Sequence, residues 1–299
     1  LVRGSELHDI VRAFVERSER ERRWSTTEDI PWETNADSSS SSSSALLLVA
    51  ETFFALEAVS PDFVRVSLAA MRDAPALRVF VVHWASDKTK RLVALRRWLE
   101  TRGVPSERLD AIERAASRSL DEARFAGATA ESTTRRLLFV GCLQAMVSFV
   151  TYARHREVAR KDDEASLRTI YDFSARDDLA HGRLMQQALA LQLAADRAAT
   201  LEDMTGVLAD FTLPGTSPAS IGRHANSVFR DWDARMQAIR GPGLDLHTFI
   251  QRVYVPVLRN LGVSRHDLMR RVPANPDLGR GEGVGDSPPD GGDFTTVRW

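Results

Sequence analysis

The chain has 299 residues, 43% of them hydrophobic and 27% charged, enough material for one large core or two small ones. Forty Lys and Arg against 41 Asp and Glu leave a formal charge of -1, which argues against a chain-wide basic surface for nucleic acid. A single cysteine, Cys142, excludes an internal disulfide and a cysteine-based metal cluster, and its apolar neighbours place it in a core.

The opening Leu1-Val2-Arg3-Gly4-Ser5 is not followed by a greasy stretch, so no signal peptide is expected. No run of 18 apolar residues is present, and no membrane span is expected. A cytoplasmic protein follows from these readings. Glu6 to Arg23 groups Ile10, Val11, Phe14 and Val15 at helical spacing and predicts an amphipathic surface helix. Trp24, Pro31 and Trp32 mark an irregular stretch expected to pack on the body. Seven serines, Ser38 to Ser44, have little helix propensity and read as a linker.

Beyond them the pattern is helical. Helices are predicted over Ala45 to Val59, Phe63 to Met71, Leu77 to Thr101, Ser106 to Phe125, Ser132 to Arg160 and Asp163 to Ala195. Gly103 and Pro105 stop the third of these. A break is expected over Gly206 to Ser220, then helices over Ile221 to Ile239 and Leu246 to Leu261, and a Gly/Pro-rich tail. Long helices joined by short connections predict an all-α antiparallel bundle, with no β alternation. The organisation is an N-terminal segment and linker over 1–44, a bundle over 45–270 and a tail over 271–299.

Acids inside apolar helices carry the chemical signal. Glu57 lies in one, and Asp178 and His181 stand three apart on one helical face, the spacing with which a carboxylate and an imidazole share a metal in helical bundles. Other groups read as surface. His83 and Asp87 form an i,i+4 surface pair, and His155 lies in a solvated run with Arg154 and Arg156. Arg96 and Arg97 read as surface charge that could also dock an acidic carrier.

Trp84 to Gly103 and Asp177 to Gly182, with Phe211-Thr212-Leu213-Pro214-Gly215 and Val255-Pro256-Val257-Leu258, resemble the soluble acyl-carrier-protein desaturase family, in its actinobacterial branch. The likeness spans roughly residues 45 to 265. It implies a ferritin-like homodimer in which two irons activate dioxygen beside a fatty-acyl channel. Of the ligand positions it implies, Glu57 fills the first, with Glu51 as the alternative, and Asp178 and His181 fill the last two. Lys88 stands at the second helix's Glu position and Arg91 at its His position, while Ala145 follows Gln144 where the third helix's Glu is expected.

Three of six ligands are therefore absent, and two have become cations. Lys88 and Arg91 are expected to pair with Glu57 and Asp178 in a nearly neutral buried cluster, with no cofactor expected. If a metal, iron in the alternative, is bound, Glu57, Asp178 and His181 are its ligands. The expected catalytic set is Glu57, Lys88, Arg91, Asp178, His181 and Ser148, the last one turn beyond Ala145. Acid–base chemistry on an activated fatty-acyl or polyketide chain is the leading expectation, with isomerisation, dehydration or cyclisation as the reaction and acyl carrier protein as a possible carrier. An oxygen-dependent desaturase or hydroxylase and a non-catalytic acyl-binding paralogue are the alternatives.

Overall fold

Long apolar helices with a few polar residues on their inner faces bury those faces against one another. The computed structural model describes residues 4–32, 44–58, 60–116, 129–162, 164–210, 235, 238–239 and 256–264. Among them are eight α-helices and no strand: α1 (Gly4–Arg17), α2 (Ser44–Ala58), α3 (Ser60–Ala70), α4 (Pro75–Thr101), α5 (Ser106–Ala116), α6 (Ala130–Lys161), α7 (Ala165–Ala195) and α8 (Arg197–Asp210). The protein is an all-α helical bundle.

Local chemistry sets the helix ends. Thr129 caps α6 by accepting from the Ser132 amide at 3.1 Å. At the end of α4, Gly103 takes a φ of +79°, which lets the Val104 amide reach the Leu99 carbonyl at 3.1 Å and the Gly103 amide reach Glu100 at 3.0 Å. One helix was not anticipated. α8 runs through Gly206, where a break was expected, because Asp196 caps its start by accepting from the Ala199 amide at 3.0 Å. Buried Leu201, Met204 and Val207 then tie it to the core, offsetting the weak propensity of its glycine.

Helix directions follow from paired contacts. Met185 lies where a side chain on Gly141 would point, Met146 does the same for Gly182, and Tyr152 packs on Tyr171. Residue numbers rising along α6 as they fall along α7 make the two antiparallel. Glu57 with Tyr152 and Phe53 with His155 set α2 antiparallel to α6. The core has two apolar halves. One gathers Phe80, Trp84, Leu138 and Met185, and the other Phe53, Trp98, Tyr152 and Tyr171.

Two stretches, Ser44–Ala70 and Ala130–Lys161, are long and apolar enough by length and composition to cross a membrane, although neither contains an unbroken run of 18 apolar residues. Their most apolar windows are 67% and 56% buried inside the protein, as core helices are. Serines 38–43, residues 117–125 of the helix expected to reach Phe125, and the tail lie outside the described residues. Of the two last predicted helices, only 235, 238–239 and 256–261 are described, and all of these but Leu261, a turn, are helical.

Small residues let α6 and α7 approach closely, so volume added at Gly141 falls on Met185 and Phe63. Gly141→Leu is expected to lower stability by about 1–3 kcal/mol in urea denaturation, and Gly141→Ala by less, since the Met185 thioether can swing aside. The Cys142 thiol, fully buried and pushed up to about 12 by that burial, is expected to resist iodoacetamide at pH 8 until the protein unfolds.

Candidate functional site

A layer of charge cuts the core between its two apolar halves. Along α4 the order is Phe80, Val81, Trp84, then Asp87, Lys88 and Arg91, then Ala94, Leu95 and Trp98. Along α7 it is Ile170, Tyr171, Ala175, then Asp177, Asp178 and His181, then Leu184 and Met185. Because the helices are antiparallel, the two polar stretches meet at one level. α2 adds Glu57 there, and α6 adds Tyr152.

Glu57 and Asp178 are each bridged by the same two cations. Lys88 Nζ lies 3.0 Å from Glu57 Oε2 and 3.4 Å from Asp178 Oδ1. Arg91 Nη1 lies 2.7 Å from Asp178 Oδ1 and 3.5 Å from Glu57 Oε1. None of Arg91's N–H groups is aligned as a hydrogen bond, so charge rather than directional bonding holds this fully buried guanidinium. Tyr152 donates to Glu57 Oε1 at 2.7 Å. Beside this ring, His181 Nε2 meets Asp87 Oδ2 at 3.1 Å, and Asp87 Oδ1 meets Lys90 Nζ at 3.1 Å. His181 Nδ1 lies 3.6 Å from Asp178 Oδ1, beyond hydrogen-bond reach.

The electrostatics follow from burial set against pairing. Burial alone would raise the Asp178 carboxyl, but the charges of Arg91 and Lys88 outweigh it and hold Asp178 below the usual carboxylate range. Asp87 is pulled the same way against its burial by the His181 bond and charge. Asp177 goes the other way. Its burial is only partly offset by Arg91, which is 3.9 Å away, and its carboxyl is raised. Arg91 is held more firmly protonated than usual, because Asp178, Glu57 and Asp177 together outweigh its burial. Burial and the Glu57 charge push the Tyr152 phenol well above its ordinary value.

The structure thus brings together five of the six candidate residues: Glu57, Lys88, Arg91, Asp178 and His181. Ser148 is not joined to them. It is half-buried on α6, where its carbonyl accepts from Thr151 Oγ1 at 3.0 Å. Glu51 belongs elsewhere, pairing with Arg108 at 2.5 Å and Arg235 at 3.0 Å, which leaves Glu57 as the acid of this layer.

Two surface readings are corrected. Asp87 is buried against His181 rather than paired with His83 on a surface. His155 is buried with Nε2 2.8 Å from the Ile239 carbonyl, because it falls on the inner side of α6 while Arg154 and Arg156 flank it. Arg96 is taken up by Glu100, Asp110 and Glu113, and Arg97 stacks on Trp32. Tyr152 and Asp177 were missed as members of the layer. Their signal, a polar residue in register with apolar neighbours one turn away, is shared by many harmless positions.

The iron pair implied by the resemblance is not matched by these side chains. Lys88 and Arg91 stand within 2.7–3.5 Å of the carboxylate oxygens that an ion would use, and Ala145 supplies no oxygen. Among the described residues no three His, Cys, Asp or Glu side chains are arranged to hold a metal ion. A cation bound here would face two fixed positive charges with too few oxygens to compensate. No family model matches the chain, and no curated protein matches it.

Removing one member of such a ring leaves its partner charged and buried. Arg91→Met is expected to cost about 3–5 kcal/mol in urea denaturation. The double variant Arg91→Met/Asp178→Asn is expected to lose clearly less than the sum of the two single changes, and additivity would show that the pair is not coupled.

Proposed function

We propose that the protein is a ferritin-like relative of the acyl-carrier-protein desaturases that acts on an activated fatty-acyl or polyketide chain by acid–base chemistry. The observation that carries this reading is His181, held in a dry core with Asp87 on one ring nitrogen and Asp178 near the other. An imidazole oriented by carboxylates moves protons efficiently, and exclusion of water strengthens every charge around it. Lys88, whose side chain is 10% exposed, is the member of the ring nearest to solvent and suits an oxyanion or enolate developing on a thioester.

Isomerisation, dehydration and cyclisation are the reactions that fit, since acid–base groups can drive the bond changes in each, with water as the leaving group in dehydration, and none consumes an oxidant. In this reading the chain arrives on acyl carrier protein and the protein works as a cytoplasmic homodimer, as the resemblance implies. A second reading is favoured by the complete burial of Asp178 and His181. The ring would then be an ionic plug in a paralogue that binds acyl chains without turnover.

The test is incubation with a panel of acyl and polyketidyl carrier-protein thioesters in deuterated water, followed by mass spectrometry. Deuterium uptake or product formation is expected from the wild type, reduced at least ~100-fold in His181→Asn. Binding without uptake or product would favour the plug. About two irons per chain, with oxygen consumption, would overturn the acid–base reading.

A further inference from the structure

α1 lies over the His181 end of the charged layer, and half-buried Ile10, Phe14 and Val15 pack on the core from it. Of its residues only Leu7 and Val11 are buried apolar anchors, while Glu6, Asp9, Arg12, Glu16 and Arg17 face solvent. It ends in a π-helical turn, Ser18–Arg22, a distortion that concentrates at functional sites. Three hydrogen bonds order that end, one within the segment and two to α7. Arg22 Nη2 donates to the Phe14 carbonyl at 3.4 Å, Arg176 to the Arg22 carbonyl at 3.1 Å, and Trp24 Nε1 to Asp177 Oδ2 at 3.0 Å.

From this helix a half-buried Phe14 reaches both imidazoles of the region. Its ring centroid is 5.6 Å from that of His83, 5.8 Å from His181 and 5.5 Å from Phe80, with the Arg22 guanidinium 4.5 Å away. His83 Nε2 is buried and has no hydrogen-bond partner. Phe14 is thus packed among aromatic rings and beside an imidazole that carries an unpartnered nitrogen, a make-up that suits a mainly apolar ligand with one polar end.

We propose that α1 is a detachable cover, and that the polar end of an apolar chain binds in the place of Phe14 with His83 Nε2 as its hydrogen-bonding partner. The ligand class is a long hydrocarbon chain ending in a carboxyl or carbonyl group. Trp24 is the fastener, and through Asp177 it touches the layer that holds Arg91. This inference rests on the acyl-chain reading above and adds to it a route of access and a binding residue.

The probe is cis-parinaric acid, a polyene fatty acid that fluoresces in dry pockets, titrated into the full chain. Phe14→Ala is expected to bind it several-fold more tightly than wild type, Phe14→Trp several-fold more weakly, and His83→Leu about tenfold more weakly. Trp24→Phe is expected to speed association. Hydrogen–deuterium exchange of Glu6 to Arg17 in the wild type should rise when the probe binds, a readout that requires no variant to fold. Wild-type affinity in all three Phe14 and His83 variants, or unchanged exchange in α1 on binding, would overturn the cover and leave the acyl-chain reading standing. Failure of both the probe and acyl thioesters to bind wild type or Phe14→Ala would overturn both.

Discussion

Two carboxylates and two cations in the middle of the bundle are the constraint around which the rest is arranged. Glu57 and Asp178 are 3% and 0% exposed in their side chains, and each would cost several kcal/mol to bury alone. Lys88 and Arg91 make that burial tolerable only if α2, α4 and α7 hold one register. A slip of one helix by a turn would drive a charge into the apolar half above or below. The ring therefore contributes less to net stability than to selecting one arrangement of helices among many that would bury similar apolar area.

The apolar halves are shaped to this layer. On α6, which brings no charge to the ring, Ala145 and Met146 stand at the same level, and Tyr152 reaches across to satisfy Glu57. Gly141 and Gly182 bring α6 and α7 close, with Met185 and Met146 filling the space beside them. A rigid ionic centre is thus bordered on one side by flexible thioethers that repack readily. On another side it is bordered by an N-terminal helix with few buried anchors.

The chemistry follows from the same balance. Carboxylates that would favour a metal ion are here neutralised by side chains that cannot leave or change oxidation state. Next to this neutralised ring, His181 and Asp87 form a separate buried pair, with Nε2 3.1 Å from Oδ2. Asp177, with its raised carboxyl, accepts from Trp24 Nε1 at the edge of the layer.

Much of this was legible in the sequence. The helical period of α4, α6 and α7, the stop at Gly103 and the place of Cys142 in a core follow from local rules about propensity, caps and apolar spacing. The pairing of Lys88 and Arg91 with Glu57 and Asp178 followed from counting charge at positions aligned by resemblance. Other features depended on what lies opposite a residue, which no local pattern contains. His155 and Asp87 look like surface groups among charged neighbours, yet each points inward because of its angle on the helix. Tyr152 joins the layer because α6 and α2 are antiparallel, and Ser148 stays out of it although it is one turn from Ala145. α8 forms through Gly206 because a core was waiting for Leu201, Met204 and Val207. Apolar spacing and near-zero net charge determined by themselves that the chain makes long apolar helices whose charges nearly cancel over the whole. Only the tertiary structure decided where they cancel, because the energy of a buried charge is set by the partner that another helix brings within about 3–4 Å.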